Sequence, residues 1–284
     1  MISCDTISKT AIRGHYDLAT PFYRLLWGPH VHHGLWDEST ERPLSARAAQ
    51  ERLIDTVADL ATITHQDRVL DIGCGMGGSS IHLASRRGCF VTGITLSGIQ
   101  QQWASWAAWT RGVRSKTRFL QGDVEAASFA DAEFDVLWSI ECTEHLVDKA
   151  TFFRRASNWL KPGGRMVICA WLAAEDAARP EKRRQVEQVC EAFLCPSLGS
   201  FSDYTRWMTE SGLIVDATSD WTAAVARTWE VCIARVDQLS LQRLAGWIDP
   251  AQADFLRHFP TLLSAYRSGA MQYGCLLAHK PAAP

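Results

Sequence analysis

The run Asp71-Ile72-Gly73-Cys74-Gly75-Met76-Gly77-Gly78 sets a carboxylate two residues ahead of three glycines at alternate positions. Such glycines let backbone approach a ligand closely where a strand turns into a helix. The spacing is similar to a dinucleotide fingerprint but not the same, since that pattern reads G-x-G-x-x-G with an acid about 20 residues on. Asp71 would repel a pyrophosphate and suits a ligand that carries an ammonium group. A second cluster, Glu141-Cys142-Thr143-Glu144-His145, joins two carboxylates to an imidazole. An imidazole can titrate near neutral pH, so His145 is a candidate general base or substrate contact. The plainer role is a buried, hydrogen-bonded histidine that holds its loop. Glu141 and Glu144 would orient His145, stabilise cationic charge on an acceptor, or cap the next helix. His30, His32 and His33 invite a metal reading, but no carboxylate or cysteine stands at ligand spacing nearby. No metal is expected there.

These clusters need elements to hold them. Residues 44–61 carry Leu53, Ile54, Val57, Leu60 and Ala61 at a helical period. From there strands and helices alternate. Strands are predicted at Arg68–Gly73, Phe90–Thr95, Thr117–Leu120, Phe134–Ile140 and Arg165–Trp171. Helices are predicted from the glycine turn through Leu83, over Ile99–Arg111 and over Lys149–Leu160, the last stopped by Lys161-Pro162-Gly163-Gly164. This alternation implies a parallel sheet with right-handed crossovers. Beyond Trp171 the pattern becomes helical at 180–194, Asp203–Ser211 and much of 223–268, with strands at Leu213–Thr218 and Met271–His279. The expectation is one α/β domain with helical insertions (about 178–200 and 223–268) over its functional edge. Trp103, Trp106 and Trp109 recur every three residues on one helix, which favours packing against the sheet over a subunit interface.

The glycine run resembles the S-adenosyl-L-methionine (SAM) site of class I, Rossmann-like methyltransferases, where D-x-G-x-G-x-G follows the first strand. Gly122-Asp123-Val124 and Lys161-Pro162-Gly163-Gly164 stand in order where that family places its later landmarks. The resemblance implies a doubly wound, seven-stranded, mostly parallel sheet, with SAM as methyl donor and S-adenosyl-L-homocysteine (SAH) as product. It assigns Asp71, Gly73, Cys74, Gly75, Gly77, Gly122, Asp123 and Val124 to the cofactor, with Asp123 against the adenine. The general family has an acid after its second strand; here the segment reads Gly93-Ile94-Thr95-Leu96-Ser97, followed by Gln100. That version resembles the branch that holds tocopherol methyltransferases, cyclopropane fatty-acid synthases and mycolic-acid methyltransferases. Thr95, Leu96, Ser97 and Gln100 are then expected to replace the acid, each neutral hydrogen bond contributing roughly 0.5–1.5 kcal/mol.

The N-terminal part is similar to the lid of the same branch. It reads His15-Tyr16-Asp17, then Trp27-Gly28-Pro29-His30-Val31-His32-His33-Gly34. The resemblance places His33 and Tyr16 at the cofactor. Trp27, His30, His32, Tyr204 and Trp221 are expected at the acceptor. The expected organisation is a lid at 1–45, a SAM-binding core at 46–172, and the remainder of the sheet with its insertions at 173–284. In that fold Glu141, Glu144 and His145 sit where the methyl group is presented, and all three are taken as catalytic. Methyl transfer from a sulfonium needs alignment and exclusion of water, plus removal of a proton where the nucleophile carries one.

Composition narrows the acceptor. Net charge is −2, and no N/D-P-P-Y/F motif follows the strand Phe134–Ile140, so nucleic acid is not expected as a partner. Twelve Trp against five Tyr suit buried walls and apolar pockets. A small hydrophobic acceptor is expected, prenylated, terpenoid or aromatic, with methylation at carbon slightly preferred over oxygen or nitrogen. A fatty-acyl cyclopropane or methyl-branching enzyme is the alternative. That group holds bicarbonate partly through a cysteine near the lid, where this chain has Leu35. A binding protein without activity would show a damaged cofactor motif, and this one is intact. Nine scattered cysteines without a CxxC pair read as reduced thiols, and MISCDTISKT shows no secretory h-region, which together suggest a cytoplasmic enzyme. The longest uncharged run, Gly88–Thr110, is too polar for a membrane span, and homo-oligomerisation stays open.

Overall fold

The computed structural model describes residues 1–4, 6–37, 44–248 and 250–282, and the side chains of 244, 245, 247 and 248 are outside that description. The lid positions 38–43 and the side chain of Trp247 are therefore outside the description. The chain opens with β1 (Ile2–Ser3), α1 (Lys9–Leu26) and α2 (Ala46–Leu60). The alternating part is β2 (Arg68–Ile72), α3 (Gly78–Arg86), β3 (Phe90–Thr95), α4 (Gly98–Thr110), β4 (Thr117–Gln121), β5 (Phe134–Ile140), α5 (Lys149–Trp159) and β6 (Leu160–Ala173). There follow α6 (Pro180–Phe193), β7 (Ser197–Leu198), α7 (Phe201–Glu210), β8 (Ile214–Asp220), α8 (Thr222–Gln238), α9 (Leu241–Ile248), α10 (Pro250–Arg257), α11 (Phe259–Arg267) and β9 (Met271–His279).

The main sheet has seven strands in the order β4-β3-β2-β5-β6-β9-β8. All neighbours from β4 to β6 run parallel, and β9 is antiparallel to both β6 and β8. The fold is the expected α/β, doubly wound, mostly parallel sheet. Its central strands β2, β5 and β6 are apolar on both faces, as a sheet covered by helices requires. Val69, Val136, Trp138, Val167 and Cys169 enter a core shared with α2, α6, α8 and α11. Leu70, Leu137, Met166 and Ile168 point to the other side, where Phe152, Phe153, Tyr204 and Trp207 of α5 and α7 cover them. Serine hydroxyls cap α1, α2, α4 and α7, each accepting from a backbone N–H of the first turn.

Three details depart from the sequence reading. The strand expected from Arg165 already begins at Leu160, which pairs with Phe134, so Lys161–Gly164 lies within an irregular β6. Ile2–Ser3 pairs antiparallel with Ser197–Leu198, a contact too short to leave a periodic signal. The tryptophans of α4 are not packed away: Trp106 and Trp109 are 58% and 62% exposed, because the helix faces the sheet with Gln100, Ala104 and Ala108 instead.

Lys149 joins the small sheet to the core. Its buried ammonium donates to Leu146 O at 2.8 Å, Ser197 O at 3.0 Å and Ser197 Oγ at 2.7 Å. Burial pushes its pKa down to about 8. Replacing it removes a charge-assisted network and strands two buried carbonyls. Lys149→Met should lower stability by about 2–3 kcal/mol, read from the urea midpoint at unchanged m-value.

Candidate active site

Ligands in open α/β sheets bind beyond the carboxyl ends of the strands, where the strand order reverses. Here that point lies between β2 and β5, and a cavity opens there. Gly73 and Gly75 line it after β2; Thr95, Leu96, Ser97 and Gln100 after β3; Gly122, Asp123 and Val124 after β4; Ile140, Glu141 and Cys142 after β5. Gly73 has φ +73°, and a Cβ there would sit 2.2 Å from Cys142 Sγ. The turn can pass the end of β5 only without a side chain. Thr95 Oγ1 donates to Gln100 Oε1 at 2.9 Å, and Ser97 Oγ caps α4 by accepting from Gln100 N.

The next glycine of the run serves packing. A Cβ on Gly77 would stand 2.8 Å from the Ala104 Cβ of α4, so this residue faces the helix layer and not the cavity. The Cys74 side chain lies against Gly93. Asp71 is buried beneath the turn, with its Oδ2 accepting from Ser80 Oγ at 2.5 Å. Burial raises its pKa to about 7, with the Ser80 bonds opposing. Asp71 thus organises the turn and the start of α3. Asp71, Cys74 and Gly77, expected at the cofactor, form and pack the turn beside the cavity and do not line it.

Helix α1 roofs the cavity with Lys9, Ile12 and Tyr16. Two polar contacts pin the roof. Lys9 Nζ donates to Asp123 Oδ1 at 2.7 Å and also pairs with Glu125. Ser97 Oγ donates to Asp17 Oδ1 at 2.5 Å. Sequence reasoning missed Lys9 altogether and quoted Asp17 without a role. Their spacing of eight residues, near two helical turns, was the available signal.

A second chamber adjoins the first, and Tyr16, Val31, Glu141 and His145 line both. Its walls are aromatic: Tyr23, Trp27, Trp171, Phe193, Trp229 and Phe255. Tyr23, Phe193 and Phe255 come from α1, α6 and α10, and nothing in the local sequence marked Phe193 or Phe255. At the junction His145 Nδ1 lies 3.0 Å from Leu194 O, and its Nε2 lies 2.8 Å from the Tyr16 hydroxyl. A carbonyl only accepts, so Nδ1 carries the proton and Nε2 accepts from Tyr16. Burial pushes the His145 pKa down to about 4, which keeps the ring neutral at pH 7.

The two carboxylates differ sharply. Glu141, at φ +54°, is held by four groups. Its Oε1 accepts from His33 N at 2.8 Å and from Tyr273 Oη at 2.9 Å. Its Oε2 lies 2.9 Å from His33 Nδ1 and accepts from Trp171 Nε1 at 3.3 Å. Burial alone would raise its pKa; the His33 charge and hydrogen bonds outweigh that and hold it below the usual range. Glu144 Oε1 accepts from Trp171 N at 2.6 Å, while its Oε2 is buried without a hydrogen-bond partner among the described residues. Burial pushes its pKa up to about 8, so at neutral pH it presents an O–H to the chamber.

The structure separates the remaining expected contacts. His33 lies in the aromatic chamber beside Glu141, not in the cofactor cavity. His32 shares that chamber; its Nδ1 donates to His33 O at 2.7 Å and its Nε2 has no partner among the described residues. His30 points the other way, onto the glycine turn, where a Cβ on Gly78 would be 2.8 Å from its Nδ1. Tyr204 is fully buried in the α5–α7 layer, bonded to Thr143 at 2.7 Å, and lines neither cavity. Trp221 precedes α8 and packs on the core edge outside both cavities. The acceptor role expected for His30, Tyr204 and Trp221 is corrected on these grounds: each is spent on packing between elements. Among the described residues no group of three or more His, Cys, Asp or Glu could hold a metal ion.

The sequence profile of the mycolic acid cyclopropane synthetase family matches residues 5–266. The chain belongs to that family. It is 31% identical to the probable chloroplastic tocopherol O-methyltransferase of Oryza sativa subsp. japonica over 288 residues, covering 96% of this chain and 78% of the relative. It is 31% identical to norajmaline N-methyltransferase of Rauvolfia serpentina over 227 residues, covering 75% of this chain and 78% of the relative. Among solved structures, a mycolic acid cyclopropane synthase complexed with SAH and CTAB superimposes with TM-score 0.86 at 18% identity, covering 96% of this chain and 98% of that one. This member of the cyclopropane synthetase family is a SAM-dependent methyltransferase that acts on small molecules.

The cofactor cavity fits that donor chemically. Leu96, Val124 and Leu146 offer apolar surface, Asp123 supplies a carboxylate among them, and the Gly73 and Gly75 turn leaves room for close backbone approach. Thr95, Ser97 and Gln100 add neutral hydroxyl and amide groups. Asp123 combines lining position with the Lys9 contact that fixes the roof. Asp123→Asn should weaken SAH binding roughly 10–100-fold by calorimetry while leaving the fold intact. For Glu144 the sign runs against alkali. Its folded pKa lies above the ordinary carboxylate value, so its favourable protonated state is lost as pH climbs toward about 8. Relative to Glu144→Gln, the wild type should lose up to roughly 1.4 kcal/mol per pH unit between about pH 4.5 and 8, measured by urea unfolding at a pH series.

Proposed function

We propose that this enzyme methylates a small hydrophobic acceptor with an aromatic or prenylated body and an ionisable hydroxyl, with methylation at carbon preferred. The observation that carries the reading is the aromatic chamber joined to the cofactor cavity through Tyr16, Val31, Glu141 and His145. Its walls exclude water, while the Nε2 lone pair of His32 and the Oε2–H of Glu144 remain open as polar contacts for an acceptor. An apolar pocket with a few placed polar groups binds a ring-bearing molecule and fixes its orientation.

The donor supplies a methyl carbon on a sulfonium, which leaves as a neutral thioether and needs no acid. The chain must hold the acceptor in line and take its proton. Neutral His145 offers Nε2, through the Tyr16 hydroxyl bonded to it, at the junction of the chambers. A phenol deprotonated there becomes nucleophilic at oxygen and, by delocalisation, at the ring carbons. Glu141 is committed to His33, Trp171 and Tyr273, so it serves as a positioning residue for the lid segment, and Glu144 contacts the acceptor. The cofactor residues are Gly73, Gly75, Thr95, Leu96, Ser97, Gln100, Gly122, Asp123, Val124 and Tyr16. Trp27 and His32 stand on the acceptor side, and His33 joins them there. Transfer to oxygen is the second reading, supported by the likeness to the tocopherol O-methyltransferase.

The test is transfer of isotopically labelled methyl from SAM to a panel of prenylated phenols and hydroquinones, followed by mass spectrometry. Label on a ring carbon is the expected result; label on oxygen would select the second reading. His145→Ala should keep SAH affinity and lower turnover roughly 10²–10⁴-fold. Label found only in unsaturated acyl chains, or near-normal turnover by His145→Ala, would overturn the acceptor class or the base respectively.

A further inference from the structure

Helix α4 exposes large apolar side chains, with Gln102 among them, on the face it turns away from the sheet. Ile99, Trp106 and Trp109 are 45%, 58% and 62% exposed, and Trp103 stacks edge-on with Trp106 at 6.0 Å. A surface helix with large apolar side chains on its outer face is an unpartnered helix. Trp103 and Trp106 form one side of a groove whose rim carries Arg24, Arg86 and Arg111, all exposed. A fourth arginine there, Arg47, is paired with Glu51 at 2.8 Å. No ion pair engages the other three among the described residues, although the whole chain has net charge −2. Cationic charge is thus concentrated beside exposed indoles on a chain that is otherwise slightly acidic.

We propose that this face docks on an anionic lipid bilayer, with Trp106 and Trp109 at the level of the head groups and the arginines against lipid phosphates. Indole rings favour the membrane–water interface, and basic side chains beside them add attraction to acidic lipid. The charge complementarity selects a lipid surface over a second copy of this chain, because a symmetric contact would set the same arginines near one another. The position of the groove gives the docking a use. Pro29 and His30 line the groove, while the next residues of the same segment, Val31 and His32, line the acceptor chamber. One strip of lid backbone separates the docked surface from the site that takes a hydrophobic acceptor. Among the described residues no helix is long and apolar enough to cross a membrane.

The experiment is co-sedimentation of the full chain with vesicles. Vesicles of mixed phosphatidylcholine and phosphatidylglycerol should carry the protein down at low salt, and pure phosphatidylcholine vesicles should carry far less. The exposed double substitutions Trp106→Ala/Trp109→Ala and Arg86→Glu/Arg111→Glu should each lower the partition coefficient at least about tenfold, with circular dichroism unchanged. Equal partition to both vesicle types, or partition unaffected by either pair, would overturn the proposal. So would displacement by millimolar inorganic phosphate at constant ionic strength, which would assign the arginines to a free anion. Self-association lost in the tryptophan variant, without vesicle binding by the wild type, would assign the face to a second copy instead. None of these readouts depends on the acceptor, so a wrong acceptor class would leave the result standing.

Discussion

The buried carboxylate of Glu141 is the contact on which the site's geometry depends. It ends β5 in a left-handed backbone conformation that a glutamate adopts only under constraint. Its two oxygens take polar groups from the lid segment (His33), from β6 (Trp171) and from β9 (Tyr273). An ionised carboxylate in such surroundings is tolerable only when every lone pair is engaged. Satisfying it therefore fixes three segments at once. The lid comes to rest on the sheet, and the aromatic chamber acquires a floor.

From that anchor the two chambers follow. The sheet's reversal between β2 and β5 opens the first, and α1 closes it with Lys9 on Asp123 and Asp17 on Ser97. The insertions α6, α8 and α10 build the second from Phe193, Trp229 and Phe255. The neighbouring carboxylates Glu141 and Glu144 end in opposite states for a simple reason. Glu141 meets an imidazole and three donors, while one oxygen of Glu144 meets nothing polar among the described residues.

The core was legible because its signals are local. Buried parallel strands read as short apolar runs, and the glycine turn, Gly122-Asp123 and Thr95–Gln100 each follow a strand end directly in sequence. The aromatic chamber was legible only in part, through Trp27 and His32, because its walls meet from positions some 230 residues apart, Tyr23 and Phe255 being one such pair. Tyr204 and Trp221 were expected at the acceptor from the resemblance, and the structure packs them against other layers. The histidine run 30–33 shows the limit clearly. His30 lines the groove while His32 and His33 line the chamber, a division that residue type and spacing alone do not encode.

Leu194 closes α6 in a left-handed turn, and its carbonyl is the group that fixes the proton on His145 Nδ1. The end of an insertion helix thereby dictates which nitrogen of a core histidine stays basic. Insertion and core cannot be exchanged as independent modules. A chimera that borrows a relative's α6 to change acceptor preference would inherit that relative's carbonyl position, and with it a different proton inventory at the junction.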